Sequence, residues 1–170
     1  MPSIRMAAVL AGFLVALMLA ALAPEVSAQA AFEDSWGYWT AHREDRRLSR
    51  EDAVAKYNYC PTGGCVLRLE GVSVRPYEAR NGETLTMVTT VTILTPENVG
   101  IPLGITREVF YQGKSLGRTK NLDLRAKNGT WDQTANFTLP ADAPPGRYSV
   151  STKITTGYGM DEKTTEFVVK

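Results

Sequence analysis

The chain predicts an all-β domain, an antiparallel β-sandwich of about seven strands, and three observations carry that expectation. The first is strict alternation. Trp131, Gln133, Ala135, Phe137 and Leu139 share one face of an extended segment, and Asp132, Thr134, Asn136 and Thr138 share the other. A period of two belongs to half-buried strands. The second is punctuation, because Asn81-Gly82, Gln112-Gly113, Lys127-Asn128-Gly129 and Gly157-Tyr158-Gly159 fall between such segments, where turn residues belong. The third is a parity switch at Gly71. Leu67 and Leu69 fall on one parity and Val72 and Val74 on the other, the signature of a β-bulge or a crossing between sheets.

The strands follow in order. After the Val66–Val74 segment, Leu85, Met87, Val91 and Ile93 alternate with Thr86, Thr90 and Thr92 in a long strand. Pro96 to Gly104 reads as a loop, Ile105 to Tyr111 as a strand, and Leu116 to Leu124 as one short strand or two. The Trp131 strand is followed by a Pro-rich corner. Beyond it, Tyr148, Val150, Thr152 and Ile154 alternate with polar neighbours, and a last hairpin ends in Phe167 and Val169. Trp131 and Tyr148 lie on the apolar parity and are expected in the core.

Residues 1–30 read as a cleaved signal peptide. Arg5 precedes an apolar run from Met6 to Leu22, and small residues alternate at Val26, Ala28 and Ala30, as a secretory cleavage site requires. The run is at the short limit for spanning about 30 Å of hydrocarbon. A periplasmic or secreted location follows as the expectation, with no membrane attachment after cleavage. Residues 31–65 form an N-terminal arm and residues 66–170 the sandwich. In the arm, Phe32, Trp36, Tyr38 and Trp39 precede the charged run His42-Arg43-Glu44-Asp45-Arg46-Arg47. A helix over 36–47 is one reading, interrupted by Gly37. Ser49 before Arg50-Glu51-Asp52 supplies an N-cap with acidic residues in the first turn, predicting a short helix over 50–58.

Cys60 and Cys65 bracket Pro-Thr-Gly-Gly. In an exported chain an even pair predicts a disulfide, adding about 2 kcal/mol by closing a short loop. Redox catalysis prefers Cys-x-x-Cys at a helix start, zinc needs two further ligands where the chain offers His42 as its one imidazole, and haem attachment needs His where Val66 stands.

Leu139-Pro140-Ala141-Asp142-Ala143-Pro144-Pro145-Gly146-Arg147-Tyr148-Ser149-Val150 resembles the corner of immunoglobulin-like modules in exported bacterial proteins. The resemblance covers residues 66–170. It implies that the Tyr148 hydroxyl bonds back to the corner's backbone. It implies nothing about function, since such sandwiches host many roles. The inter-sheet disulfide of antibody domains has no counterpart here.

Formal charge is +1 with acidic and basic residues interspersed, without the clustered basic face that nucleic-acid binding calls for. The acidic pairs Glu33-Asp34, Glu44-Asp45, Glu51-Asp52 and Asp161-Glu162 are sequence neighbours whose side chains diverge. No catalytic, metal or cofactor set is therefore expected. Asn128-Gly129-Thr130 and Asn136-Phe137-Thr138 match the glycosylation triplet and are discounted as turn chemistry. The functional expectation is a non-catalytic binding or scaffold module that contacts another envelope or secreted protein. Trp36, Tyr38, Trp39 and Tyr158 are the candidate contacts, because exposed aromatics anchor interfaces. Packing against the sandwich is the favoured reading of the first three, and docking to a partner the other. The alternatives are a redox or enzyme-accessory role through Cys60 and Cys65, and a sandwich-type chaperone or inhibitor.

Overall fold

The computed structural model describes residues 39–170, the side chains of residues 40–42 and 120–125 excepted. Residues 1–38, with the expected signal peptide, Trp36 and Tyr38, lie outside the described residues. Two sheets pack face to face in an all-β, sandwich-like arrangement. The strands are β1 (Trp39–Leu48), β2 (Val66–Arg75), β3 (Glu78–Ala79), β4 (Thr84–Leu94), β5 (Ile101–Tyr111), β6 (Lys114–Ala126), β7 (Gly129–Thr138), β8 (Gly146–Thr156) and β9 (Gly159–Val169), with one α-helix, α1 (Arg50–Tyr57). One sheet runs β1-β7-β4-β2 and the other β3-β9-β8-β5-β6. All pairings are antiparallel except the two-residue β3, which lies parallel to β9.

The alternation sorts side chains as the sequence requires. On β5, Ile101, Leu103, Ile105, Arg107 and Val109 are buried while the residues between them reach the outer face. On β8, Tyr148, Val150, Thr152 and Ile154 point inward. Gly71 absorbs the predicted register shift against β4. The helix forms where it is expected: Ser49 is extended, and its hydroxyl accepts from the Asp52 N–H at 3.1 Å. Asn58 ends α1 in the left-handed region, and Ala53 is its buried residue.

Two expectations are corrected. The stretch 36–47, for which a helix is one reading, instead contributes its described residues to edge strand β1, Trp39–Leu48, paired with β7. Charged side chains there are a solution to the edge-strand problem rather than a helix face, since they deter pairing with other chains. Glu44 accepts from Gln133 Nε2 at 2.8 Å, and Arg47 pairs with Asp132. Trp131, expected in the core, is half-buried. Its facing residue on β1 is Arg46, whose guanidinium lies 4.8 Å from the ring centroid, and Lys127 flanks it at 5.8 Å. Val91 is its partner on β4, and Ile93 and Leu103 line the same small hollow, while the two cations flank the ring at the rim.

The interior divides in two. One apolar cluster gathers Leu85, Met87, Phe137, Tyr148 and Phe167, among others, and a second gathers Leu69, Val91, Ile93, Leu103, Ile105 and Ile154. Between them lie the buried polar residues Thr89, Arg107, Gln133 and Thr152. Arg107 is 0% exposed; its Nη2 donates to Thr89 Oγ1 at 3.4 Å, while Nε and Nη1 have no partner. Burial pushes its pKa down to about 10, which leaves it cationic at neutral pH.

As the corner resemblance implies, the Tyr148 hydroxyl donates to Pro144 O at 2.6 Å. Its ring stacks between Tyr111, at 4.6 Å, and Phe167, at 5.2 Å. Burial raises the phenol to about 12. At the opposite end, Gly129 has φ +119°, and a Cβ there would sit 2.6 Å from Leu48 O. The start of β7 thus packs directly under the β1–α1 junction, and only glycine allows it.

Three stability outcomes follow. Tyr148→Phe strands the Pro144 carbonyl and should cost about 1–3 kcal/mol in urea melts; an unchanged midpoint would show the hydroxyl contributes nothing. Gly129→Ala should cost at least about 2 kcal/mol from strain and contact together. Arg107→Met, by removing a buried charge that lacks a carboxylate, should raise stability by about 1–4 kcal/mol. A lower urea midpoint for that variant would mean the guanidinium holds the sheets together.

Candidate functional site

The outer face of the five-stranded sheet carries a groove of about 620 Å³. Its floor and walls come from adjacent strands: Gly104, Thr106 and Glu108 on β5, Arg118 on β6, Ser151, Lys153 and Thr155 on β8, and Glu162 on β9. Period-two geometry explains their convergence. Thr106, Lys153 and Glu162 stand in register across three strands, and so do Glu108 and Ser151 across two. Gly104 and Gly157 add no side chain, which leaves the depression between Pro102, Thr155 and Thr156.

The charged groups are ordered by one another. Arg118 donates to Glu108 Oε2 from Nε at 2.9 Å and from Nη2 at 2.6 Å, and Ser115 donates to Glu108 Oε1 at 2.6 Å. Ser151 donates to Glu162 Oε1. Lys153 takes part in no ion pair among the described residues. The surface therefore presents hydroxyls, one unpaired ammonium and two anchored carboxylates on a rigid backbone. That chemistry suits recognition of a polar surface. The hairpin after Thr156 closes one end of the groove, and its tip exposes Tyr158 and Met160, each 67% accessible. The Tyr158 N–H bonds Thr156 Oγ1 at 3.1 Å, so the tip is braced.

The sequence-derived candidates fall in separate places. Trp39 packs against the first apolar cluster: its ring stacks on Phe137 at 5.0 Å, and the Arg107 guanidinium lies 5.6 Å from its centroid. His42 lies in β1. Cys60 and Cys65 are free thiols, not the expected disulfide. The loop is closed by other means. Pro61–Gly63 forms a 3-10 turn with the Gly63 N–H on Cys60 O at 2.9 Å, and the Tyr59 hydroxyl donates to Gly64 O at 2.7 Å. The Cys60 sulfur is hydrogen-bonded to Thr62 Oγ1 at 3.0 Å. That bond, with backbone N–H donors behind it, holds the Cys60 thiol below its ordinary pKa. Among the described residues no group of three or more His, Cys, Asp or Glu is placed to hold a metal, and no helix is long and apolar enough to cross a membrane.

Sequence reasoning missed the groove because it consists of the outward residues of strands, read as solvated surface. Its one visible signal is the run of Ser, Thr and Lys on the polar parity of β8.

No family model and no curated protein matches the chain. Solved structures similar to it include the alkylpurine DNA glycosylase AlkC of Pseudomonas fluorescens bound to abasic-site DNA (13% identity, 61% of this chain and 30% of that one, TM-score 0.46). The sporulation control protein Spo0M of Bacillus subtilis is another (15%, 64% and 50%, TM-score 0.42). A third is a β-glucuronidase of Parabacteroides merdae (11%, 61% and 13%, TM-score 0.44). The matched part of this chain corresponds to half or less of each of those chains.

The thiols supply a chemical test. A lowered pKa raises the thiolate fraction at neutral pH, so Cys60 should alkylate faster than Cys65, and Thr62→Val should slow it ~2–5-fold. Equal rates in the parent and the variant, read by mass spectrometry, would show that the hydroxyl does not tune the sulfur.

Proposed function

We propose that the chain is a non-catalytic binding module of immunoglobulin-like type, exported to the periplasm or beyond, that contacts another protein through the outer face of its five-stranded sheet. Two features support the immunoglobulin-like assignment. The β2-β4-β7 and β9-β8-β5 neighbourhoods correspond to the A-B-E and G-F-C groupings of such sandwiches, and Tyr148 stands at the start of the F-like strand with its hydroxyl on the upstream corner. The export assignment rests on the leader-like first thirty residues.

The observation that carries the binding role is the juxtaposition of the groove with the exposed Tyr158 and Met160 tip. An exposed aromatic on a braced turn, beside an ordered polar surface, is the arrangement of an interface anchor with its rim. The rigid strands beneath it lower the ordering cost of association.

The test uses the full chain, exported and tagged, against an envelope extract, with Tyr158→Ala and Lys153→Glu as the variants. Both positions lie on the surface, so the melting temperature should stay near that of the parent. Affinity for a saturably captured protein should fall at least about tenfold, or about 1.4 kcal/mol, in each variant. A captured protein that both variants bind as tightly as the parent would remove this face from the interface.

A further inference from the structure

A second concavity, of about 290 Å³, opens at the end of the sandwich where α1 begins, lined by Arg46, Arg50, Glu51, Asn98, Gly100, Lys127 and Asn128. Its walls come from four different elements. Arg46 is on β1, Arg50 opens α1, Asn98 and Gly100 belong to the β4–β5 loop, and Lys127-Asn128 form the β6–β7 turn.

Buried hydrogen bonds hold those elements together. Asn128 accepts from the Thr95 N–H at 2.6 Å and donates from Nδ2 to Thr95 Oγ1 and to Val99 O, both at 2.9 Å. Arg50 Nη2 donates to Thr95 O at 3.3 Å. Gly129, beside Asn128, lets the Leu48–Arg50 backbone approach within contact distance. The cleft is thus a product of tight packing rather than a gap between mobile loops.

Its charge is unbalanced. Several arginines elsewhere find carboxylates, as Arg43 does with Asp45, Arg47 with Asp132, Arg68 with Glu70, Arg118 with Glu108 and Arg147 with Glu166. Arg46, Arg50 and Lys127 enter no ion pair among the described residues. Glu51 is the single acidic residue of the wall, so three cations against one carboxylate leave the lining at +2. Glu51 is itself held below the ordinary carboxylate range, chiefly by the hydrogen bond from its own backbone N–H, and so remains an anion engaged with the first turn. Independently of net charge, the Arg50 Nε atom is buried with no hydrogen-bond partner. A guanidinium N–H can only donate, and a buried donor without an acceptor is costly.

We propose that this cleft binds a tetrahedral oxyanion, phosphate or sulfate, free or as the terminal group of a small molecule, through Arg46, Arg50 and Lys127. A planar carboxylate is satisfied by one bidentate arginine. Three cations reaching one cleft from three elements instead match an anion with oxygens on several sides and a charge near −2. The rim adds selectivity. Arg46 and Lys127 both lie against the Trp131 ring, and the Trp131 Nε1–H is engaged with Lys127 O at 3.0 Å. The ring therefore braces the two cations and leaves its own donor out of the cleft.

Titration calorimetry of the full chain with sodium phosphate, with sodium sulfate and with glycerol 3-phosphate, each against sodium chloride at matched ionic strength, tests the assignment. Saturable binding with one site per chain is expected for at least one probe. Arg46→Gln combined with Lys127→Gln should weaken it tenfold or more, as should Arg50→Gln alone, while Arg147→Gln on the far sheet should leave it unchanged. Tighter binding of glycerol 3-phosphate than of phosphate would identify an organic phosphate as the ligand, and equal binding the free anion; either supports the site. Heats indistinguishable from the chloride control for all three probes would overturn it. So would an Arg46→Gln/Lys127→Gln variant that melts like the parent and binds like it.

Discussion

Arg107 faces inward on β5 between Ile105 and Val109, so the register that buries those two apolar side chains also buries a guanidinium. Slipping β5 by one residue would free the charge and expose the whole apolar row. The fold keeps the row. What it does with the charge shapes the middle of the sandwich: Thr89 and Gln133 are paired residues on β4 and β7, and Thr152 faces Arg107 on β8. Each sheet thus contributes polar residues at the same level, and the apolar interior is split into a cluster on either side. Trp39 caps this layer from the edge, with its ring toward the guanidinium. Edge strand β1 is consequently part of the core's electrostatics as well as a charged border.

The two ends of the sandwich are then built by different physics. At the corner end, stacked rings dominate, with Tyr148 between Tyr111 and Phe167 and its hydroxyl tied to the Pro144 carbonyl. The apolar cluster there is large enough to be sealed by a proline-rich turn. At the other end, the β4–β5 loop is held by side-chain amide bonds from Asn128, and α1 by the Arg50 bond to the Thr95 carbonyl and by close backbone approach at Gly129. Ala53 is the one fully buried residue of α1, so polar bonds contribute alongside apolar area to positioning this helix. The free edge of β2 is closed by the same economy of means: Asp161 on β9 accepts from the Leu69 N–H at 2.8 Å.

Much of this was legible where one face is wet and the other dry. The alternation on β4, β7 and β8, the bulge at Gly71, the Ser49 cap and the tyrosine at the corner each follow from local chemistry acting alone. Legibility failed where tertiary context outweighed the local pattern. Residues 39–48 have no alternation to betray a strand, because an edge strand facing a polar rim can carry charge on both faces. Trp131 sits on the correct parity yet stays half-exposed, since parity reports a direction and not how far the apolar cluster extends along it. Cys60 and Cys65 satisfy every compositional rule for a disulfide, while the Pro61–Gly63 turn and the Thr62 hydroxyl give the loop and its sulfur other partners. The groove and the basic cleft were invisible for a shared reason: each is assembled from outward residues of elements distant in sequence.

Those two concavities meet along one short piece of chain. Gly100 lines the basic cleft and Pro102, two residues on, lines the groove. The backbone between them is the entry to β5, and Ile101 there is buried in the second apolar cluster, so the step from one concavity to the other is anchored in the core. An anion held in the cleft would add acceptors to a junction whose bonds already run through Thr95, Val99 and Asn128. It would thereby stiffen the start of β5, the strand that supplies Thr106 and Glu108 to the groove. Asn98 is left-handed and the Val99 side chain exposed, yet the Val99 carbonyl accepts from Asn128 and Thr95, and the loop runs between a pinned Thr95 and a buried Ile101, so the backbone joining the two concavities is fixed at both ends.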